Sequence, residues 1–182
     1  LERRILQLAN TDPLTGILNR RAFMQRMESE VERAVREDNP LSLVITDLDH
    51  FKQINDRYGH QAGDLVLQKF TEIISILIRP CDFQGRYGGE EFSIGFPGVD
   101  EPDVGLVAER MRREAEVFTI PTEDPLRPIR ITASFGAASL RREPRETLSS
   151  LITRADNALY RAKREGRNRG GFGRRREEAA GA

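Results

Sequence analysis

Two adjacent glycines, Gly88 and Gly89, interrupt what otherwise reads as two consecutive strands. The segments FQGRY and EFSIGF flank the pair, and both contain the aromatic or branched residues that strands favour. Adjacent glycines suit a two-residue hairpin turn of the primed type, because glycine adopts positive φ angles at little cost. The pattern therefore predicts a β-hairpin that presents Glu90 and Glu91 side by side directly after its turn.

The segments around this hairpin predict an α+β fold. Apolar residues recur every three or four positions in four segments, which predicts amphipathic helices ending near Asp38 and covering about 64–79, 103–118 and 147–164. The segments LSLVITDLD, which finishes its strand at Asp47, and IRITASFGAASL are predicted strands. After the first helix the order is strand, helix, hairpin, helix, strand, helix. This order predicts an antiparallel sheet covered by helices.

A chain of 182 residues has room for one well-cored domain, and we expect it to cover residues 11–169. Residues 1–10 carry a short helical seam, which is either the end of a coiled coil or an ordinary helix that packs on the domain. Residues 170–182 combine glycine and charge without a hydrophobic period, so we expect a disordered tail. A first residue other than methionine suggests a piece of a longer protein with an upstream regulatory domain.

Composition and charge limit the classes of partner. Hydrophobic residues make up 38% of the chain, and no apolar run approaches the length of a membrane span, so we expect no membrane contact. Basic and acidic residues number 29 each, which argues against a nucleic-acid partner. A single cysteine, Cys81, and the lack of a signal peptide favour a reducing, cytoplasmic setting. His50 and His60 have no further imidazole or thiol partner in the pattern, so neither is predicted to bind zinc.

Carboxylates are predicted to converge at one edge of the sheet. Asp47 and Asp49 lie where a buried strand ends, and the hairpin turn would bring Glu90 and Glu91 to a neighbouring edge. Hard oxygen ligands of this kind suit magnesium, and uncompensated carboxylates in one place imply a cation. The alternative is that acidic residues at strand ends and turns are simply solvated.

Basic residues in two other segments could complete a phosphate site. Lys52 follows Asp47 closely, and Lys163 and Arg167 lie at the end of the last predicted helix. Together such cations would hold a polyphosphate, although each taken singly is compatible with an ordinary surface charge.

Two polar pairs have the chemistry to recognise a guanine. Asn55 and Asp64 bracket a glycine-containing loop, and a carboxylate there accepts hydrogen bonds from guanine N–H groups. Asp64 could equally be a helix N-cap. In RPCD, Arg79 and Asp82 form either a helix-end ion pair worth about 0.2–0.5 kcal/mol or a clamp for guanine and phosphate.

Five segments of the chain resemble the motifs of the GGDEF family of diguanylate cyclases. RYGGEEF is similar to the signature in its variant with glutamate in third position, and DPLTGILNRRAF is similar to the entry motif. DLDHFKQINDRYGHQAGD resembles the nucleotide-binding segment, RPCD the product-inhibition motif and ALYRAKREGRN the closing helix. The resemblance covers residues 12–168 in the expected order. It implies Mg²⁺-dependent synthesis of cyclic di-GMP from two GTP on a ferredoxin-like fold related to adenylyl cyclase and polymerase palm domains.

The resemblance also implies a role for individual residues. Asp47, Glu90 and Glu91 would be the catalytic carboxylates, and the metal, Mg²⁺ or alternatively Mn²⁺, would be held by Asp47, Glu90 and the backbone carbonyl of Leu48. The residues implied to bind GTP recognise guanine or contact the triphosphate, and they are Asn55, Asp64, Lys52, Gly88, Gly89, Lys163 and Arg167.

An inhibitory site for the product is implied at Arg79 and Asp82, with Arg110 as an addition. One feature departs from the family pattern, because Gly170 and Gly171 stand where a hydrophobic strand residue is expected, which puts the final edge strand in doubt.

One bound GTP supplies only half of a symmetric reaction, so the resemblance implies an antiparallel homodimer, and we expect the upstream segment to control that encounter. Two alternatives remain. One is a regulatory module that binds GTP or cyclic di-GMP without turnover. The other is a cyclase or polymerase-like enzyme with a different substrate. Asn55 and Asp64, as guanine-binding residues, would distinguish this alternative from a GTP-specific enzyme.

Overall fold

A computed structural model describes residues 10–122, 124, 126–141 and 145–173 of the chain. The predicted helical seam within residues 1–10 falls almost wholly outside this range, and so do residues 174–182 of the predicted tail. The described helices and strands run in the order β1 (Leu18–Asn19), α1 (Arg20–Glu37), β2 (Leu41–Leu48), α2 (Phe51–Tyr58), α3 (His60–Leu77), β3 (Phe83–Arg86), β4 (Glu91–Pro97), α4 (Glu101–Val117), β5 (Thr119–Ile120), β6 (Ile129–Arg130), β7 (Ala133–Ser139), α5 (Leu148–Arg164) and β8 (Gly170–Phe172).

A six-stranded sheet with the order β1-β3-β4-β2-β7-β8 forms the centre of the fold. The central strand β2 pairs antiparallel with both β4 and β7, and all its residues are buried. The outer strands β1 and β8 pair parallel with their neighbours, and β5 and β6 form a separate two-stranded sheet. The predicted α+β class with a mainly antiparallel sheet is therefore confirmed.

Helices cover both faces of the sheet, because successive strand residues point to opposite sides. On one face α2, α3 and α4 pack on Phe92, Ile94 and Phe135. On the other face α1 and α5 pack on Leu43 and Ile45. Every helix within the described residues is too short or too polar to be a candidate for crossing a bilayer.

Helix α2 is an element that the sequence reasoning missed, and it changes the start of the next helix. Gly59, with φ of 86°, separates α2 from α3, so α3 begins at His60 rather than near residue 64. Asp64 therefore lies inside α3, and its reading as an N-cap is wrong. The predicted strand IRITASFGAASL is also divided, since β6 ends at Arg130 and β7 begins at Ala133.

The predicted hairpin exists, but its turn differs from the prediction. Strands β3 and β4 pair antiparallel, with β3 ending at Arg86 and β4 beginning at Glu91, so the connection is longer than two residues. Neither Gly88 nor Gly89 has a positive φ. The reason is a wider turn, in which the backbone N–H groups of Tyr87 and Gly88 both donate to the Glu91 carbonyl, at 2.8 and 3.2 Å. The primed two-residue turn is therefore wrong.

The final edge strand is present, which corrects both the doubt about it and the start of the predicted tail at residue 170. β8 pairs parallel with β7 through Gly170, Gly171 and Phe172. A Cβ at Gly171 would lie only 2.2 Å from the carbonyl oxygen of Ala158 in α5. Glycine fits here because the strand backbone lies directly against a helix, so a bulkier hydrophobic residue is not required for the strand to form.

Candidate active site

The end of β2 and the start of β4 bring the predicted acidic residues to one edge of the sheet. Asp47 lies directly opposite Glu91 in the antiparallel register. The backbone N–H of Leu48 donates to the carbonyl oxygen of Glu90 at 3.3 Å. Asp47, Glu90 and Glu91 therefore share one edge, as the residue pattern predicted, and Leu48, which only the resemblance implied, lies at the same edge.

Asp47 is a buried carboxylate at this edge that forms an ion pair. It is only 8% exposed, and its Oδ2 atom lies 2.9 Å from the Lys163 ammonium at the end of α5. Burial raises the pKa of Asp47 above its usual value, and the negative charges of Glu90 and Glu91 add to this effect. The hydrogen bond and charge of Lys163 lower the pKa but only partly offset the increase. A further positive charge beside this carboxylate would favour its ionised form.

The donor atoms at this edge suit a hard divalent cation. No group of three or more His, Cys, Asp or Glu side chains among the described residues forms a complete ligand cluster. Magnesium, however, usually takes one or two protein carboxylates and completes its coordination with water and phosphate oxygens. Two carboxylates and a backbone carbonyl therefore fit an ion that is shared with a bound nucleotide.

The two residues predicted to recognise guanine lie on consecutive helices, Asn55 on α2 and the exposed Asp64 on α3. Within the described part of the chain, the buried Oδ1 atom of Asn55 has no hydrogen-bond partner. Its neighbour is Gly63, where a Cβ would lie 1.8 Å from that oxygen. An unpartnered buried acceptor can receive an N–H group from a ligand. Sequence reasoning missed Gly63, although the spacing Asn55–Gly63–Asp64 was visible.

The basic residues predicted to contact phosphate are only partly brought together. Lys163 reaches Asp47, as described above. Arg167 is exposed just beyond α5, in a left-handed conformation with φ of 63°. Lys52 is exposed in the first turn of α2, and its side chain has no described contact with the acidic edge.

The sequence reasoning missed the hydrogen bonds that hold the glycine turn in place. Arg86 donates to the Gly89 carbonyl at 2.8 Å and to both carboxylate oxygens of Asp12 at 3.2 Å. Burial would raise the pKa of Asp12, but hydrogen bonds from Thr15 and the charge of Arg86 bring it below the usual value. The turn is thus tied to the segment before α1. The only signal in the sequence was the arginine that precedes the glycines.

The predicted inhibitory residues gather at the other end of the sheet. Arg79 donates through Nη2 and Nε to the two carboxylate oxygens of Asp82, at 2.7 and 3.1 Å. It also donates to the Pro97 carbonyl, while Arg110 donates to the nearby Leu77 carbonyl at 2.6 Å. The Arg79 side chain is 50% exposed, so part of its guanidinium faces solvent.

The separation between the two sites follows from the strand register. Pro97 pairs with Leu41 at the start of β2, whereas Glu91 pairs with Asp47 near its end. A strand advances about 3.3 Å per residue, so about 20 Å separates the two ends.

Comparison with known proteins gives consistent matches. The model of the family "Diguanylate cyclase, GGDEF domain" matches residues 9–169. The diguanylate cyclase DgcP of Pseudomonas aeruginosa is 42% identical over 90% of this chain and 24% of its own length. The response regulator PleD of Caulobacter vibrioides is 37% identical over 90% of this chain and 36% of its own length. The chain therefore spans about a quarter to a third of these curated relatives.

Solved structures agree with these matches. The crystal structure of the GGDEF domain of DgcB from Caulobacter crescentus in complex with c-di-GMP has a TM-score of 0.86 and 35% identity, covering 92% of this chain and 94% of that one. The structure of the active GGEEF domain of a diguanylate cyclase from Vibrio cholerae has a TM-score of 0.80 and 33% identity, covering 86% and 97%. These matches confirm the nucleotidyl-cyclase palm fold.

Proposed function

The chain belongs to the GGDEF family of diguanylate cyclases, and we propose that it condenses two GTP molecules into cyclic di-GMP and two pyrophosphates. The observation that carries this proposal is the edge where Asp47, Glu90 and Glu91 meet beside Lys163. This edge combines oxygen donors for a metal with a cation for phosphate. A cytoplasmic setting is part of the proposal, since an exposed free thiol at Cys81 suits a reducing compartment.

The proposed metal is Mg²⁺, with Mn²⁺ as an alternative, held by Asp47, Glu90 and the carbonyl of Leu48, with Glu91 in support. When bound, magnesium lowers the pKa of a ribose 3′-hydroxyl and offsets negative charge on the departing pyrophosphate. Lys163 would exchange its contact with Asp47 for one with the nucleotide phosphates, because the metal supplies the positive charge that Asp47 then needs.

Guanine recognition is assigned to Asn55 and Asp64. The unpartnered Oδ1 atom of Asn55 accepts from a guanine N–H group, and the exposed carboxylate of Asp64 accepts from another. Adenine presents a different arrangement of donors, so it would leave these acceptors unpaired at a cost of about 1–3 kcal/mol. Selectivity for GTP over ATP follows from this difference.

The triphosphate would be held by the cations Lys52, Lys163 and Arg167, beside the backbone of Gly88 and Gly89; a Cβ at Gly88 would lie 2.8 Å from the Glu91 carboxylate. A Cβ at Gly89 would meet nothing within 4 Å, so the turn leaves space on that side. Each 3′-oxygen would then form a bond to the α-phosphorus of the other nucleotide. The bond from that phosphorus to pyrophosphate breaks, and the hydroxyl proton is lost with assistance from Glu90.

The reaction requires two copies of the domain that face each other in antiparallel orientation, because each copy holds one nucleotide. The curated relatives are several times longer than this chain, so we propose that a segment upstream of it controls this encounter. Activity per chain should therefore fall on dilution and recover on artificial dimerisation. Constant specific activity across a dilution series would contradict the dimer requirement.

Feedback by the product is assigned to Arg79, Asp82 and Arg110. The part of the Arg79 guanidinium that faces solvent is available to a guanine edge or a phosphate. An Arg79→Ala variant should keep its initial rate and lose inhibition by added cyclic di-GMP. Unchanged inhibition in a folded variant would show that the inhibitory site lies elsewhere.

The decisive experiment is chromatography of the products after incubation with GTP and Mg²⁺. We expect cyclic di-GMP and pyrophosphate in a ratio of one to two, and no product from a Glu90→Gln variant. Glu72→Gln is the matched control, since Glu72 pairs with Lys69 on the surface of α3. Nucleotide binding without turnover would indicate a regulatory module instead. Equal turnover of ATP would indicate an enzyme with a different substrate.

A further inference from the structure

Arg167 is held in an unusual backbone conformation beside the acidic edge. Arg167 and Asn168 both have positive φ angles, 63° and 46°, and they follow directly after Gly166, just beyond the end of α5. Asparagine tolerates the left-handed region, but an arginine there costs about 1 kcal/mol or more. Such a conformation persists only where the surroundings fix it, and two consecutive left-handed residues at a proposed phosphate site call for a physical cause.

Asp49 fixes this segment from the side of the sheet. It is 4% exposed, and its Oδ2 atom accepts from the backbone N–H of Asn168 at 2.9 Å. The hydroxyls of Thr132 and Ser134 donate to the same carboxylate at 2.8 and 2.7 Å. Asp49, two residues after Asp47, therefore ties the segment that carries Arg167 to the end of β2.

Helix α4 fixes the segment from the other side through the Asn168 side chain. Arg112 donates to the Oδ1 atom of Asn168 at 2.9 Å, and the amide group of Asn168 donates to Glu116 at 2.8 Å. Arg112 itself is only 14% exposed and forms two hydrogen bonds to Glu109, both 2.9 Å long. Hydrogen bonds and charge from Arg112, with a smaller contribution from Arg113, lower the pKa of Glu109 to about 2 although burial raises it. The arginine is thus a fixed support rather than a mobile surface side chain.

We propose that Arg112 is a positioning residue, which acts through Asn168 to hold Arg167 at the triphosphate site. The inference rests on the proposed function of Arg167 as a phosphate contact. Arg112 itself lies on α4 and bonds no residue of the acidic edge among those described, so its effect reaches the nucleotide only through Asn168. It should matter for ligands with β- and γ-phosphates and not for guanine recognition.

The test compares two ligands on the full chain, by calorimetry with Mg²⁺. One is a GTP analogue with a methylene group between the α- and β-phosphorus, which blocks turnover, and the other is GMP. Arg112→Ala should weaken binding of the triphosphate analogue about tenfold and leave the affinity for GMP unchanged. Arg113→Ala is the matched control, because Arg113 also pairs with Glu109 but has no described bond to Asn168. It should leave both affinities unchanged.

A second variant separates positioning from loss of structure. Asn168→Gly keeps the left-handed backbone accessible and removes the side-chain bonds to Arg112 and Glu116, so it should reproduce the selective loss. In an Arg167→Ala background, Arg112→Ala should cause no further loss of triphosphate affinity. An equal loss for both ligands, no loss, or an undiminished effect without Arg167 would overturn the inference. A wild-type chain that bound neither ligand would instead refute the proposed function on which it rests.

Discussion

Replacing Gly63 with alanine should separate the stability of this domain from its nucleotide selectivity. Gly63 is buried in the first turns of α3, where glycine is less favourable than alanine by about 1 kcal/mol. The added Cβ would lie 1.8 Å from the Oδ1 atom of Asn55 and 3.3 Å from the ring of Phe51. The closer atom is the end of a side chain that can rotate, so the fold should survive while Asn55 leaves its position.

The substitution should increase the stability of the domain and decrease its selectivity for GTP. Helix propensity should raise the free energy of unfolding by up to about 1 kcal/mol, which corresponds to about 2–4 °C in Tm for a domain of this size. Displacement of Asn55 removes a hydrogen bond to guanine and leaves ligand donors unpaired, at a cost of about 1–3 kcal/mol. Since 1.4 kcal/mol is a factor of ten, the preference for GTP over ATP should fall about 5- to 150-fold.

The assay is calorimetric titration of Gly63→Ala with non-hydrolysable GTP and ATP analogues, together with thermal unfolding. Gly105→Ala in α4 is the matched control, because the Cβ there would meet only the edge of the Phe172 ring, at 2.9 Å. It should leave the nucleotide preference unchanged. A folded Gly63→Ala variant with the wild-type preference would refute the role given to the contact between Gly63 and Asn55.

Three further substitutions test other parts of the structure. Glu146→Gln should destabilise the chain by about 3 kcal/mol in urea, since it breaks a buried ion pair of 2.6 Å with Arg154. Burial would raise the pKa of Glu146, but hydrogen bonds from Arg154 and other donors lower it overall; its stabilisation is therefore present above about pH 4.5 and lost in more acid solution. Ser93→Ala should stabilise by about 1 kcal/mol, because the buried hydroxyl has no partner among the described residues. Arg86→Lys should slow cyclic di-GMP formation about tenfold, since lysine cannot bond the turn and Asp12 together.

Each of these variants has a control that lacks the decisive contact. Glu37→Gln removes an exposed pair with Arg33 and should leave the urea midpoint nearly unchanged. Ser42→Ala removes a hydroxyl that donates to the Val99 carbonyl at 2.7 Å, so it should destabilise where Ser93→Ala stabilises. Arg20→Ala removes a guanidinium that stacks on Tyr87, and it should leave the rate unchanged. A control that behaves like its partner variant would contradict the explanation given for that variant.

The sequence by itself determined the four long helices, the central strands and the order of the motifs. Helical spacing and branched residues are local signals, so α1, α4, α5, β2 and the β3–β4 hairpin were predicted close to their observed bounds. Short elements escaped prediction. α2 has only eight residues, and the strands β1 and β5 have two each, so their patterns are too brief to read.

The convergence of acidic residues was predictable in outline, because strand ends and hairpin turns place side chains at sheet edges. The partners of those residues were not predictable. The wide turn at Gly88 and Gly89 depends on hydrogen bonds to Glu91 and on Arg86, and the edge strand at Gly171 depends on its close approach to α5. These features are decided by atoms that are distant in sequence.

The contact between Asp49 and Asn168 shows most clearly what local sequence patterns cannot predict, since 119 positions separate the two residues in the chain. Periodicity and turn chemistry report only on neighbours, whereas a buried carboxylate takes whichever donors the packed helices and strands bring to it. The sequence therefore identified the candidate residues for binding metal, guanine and phosphate, and those roles stay predictions. Only the tertiary structure decided that Arg112, Asn168 and Asp49 hold Arg167 in place, because those contacts exist only once α4, α5 and the sheet have packed.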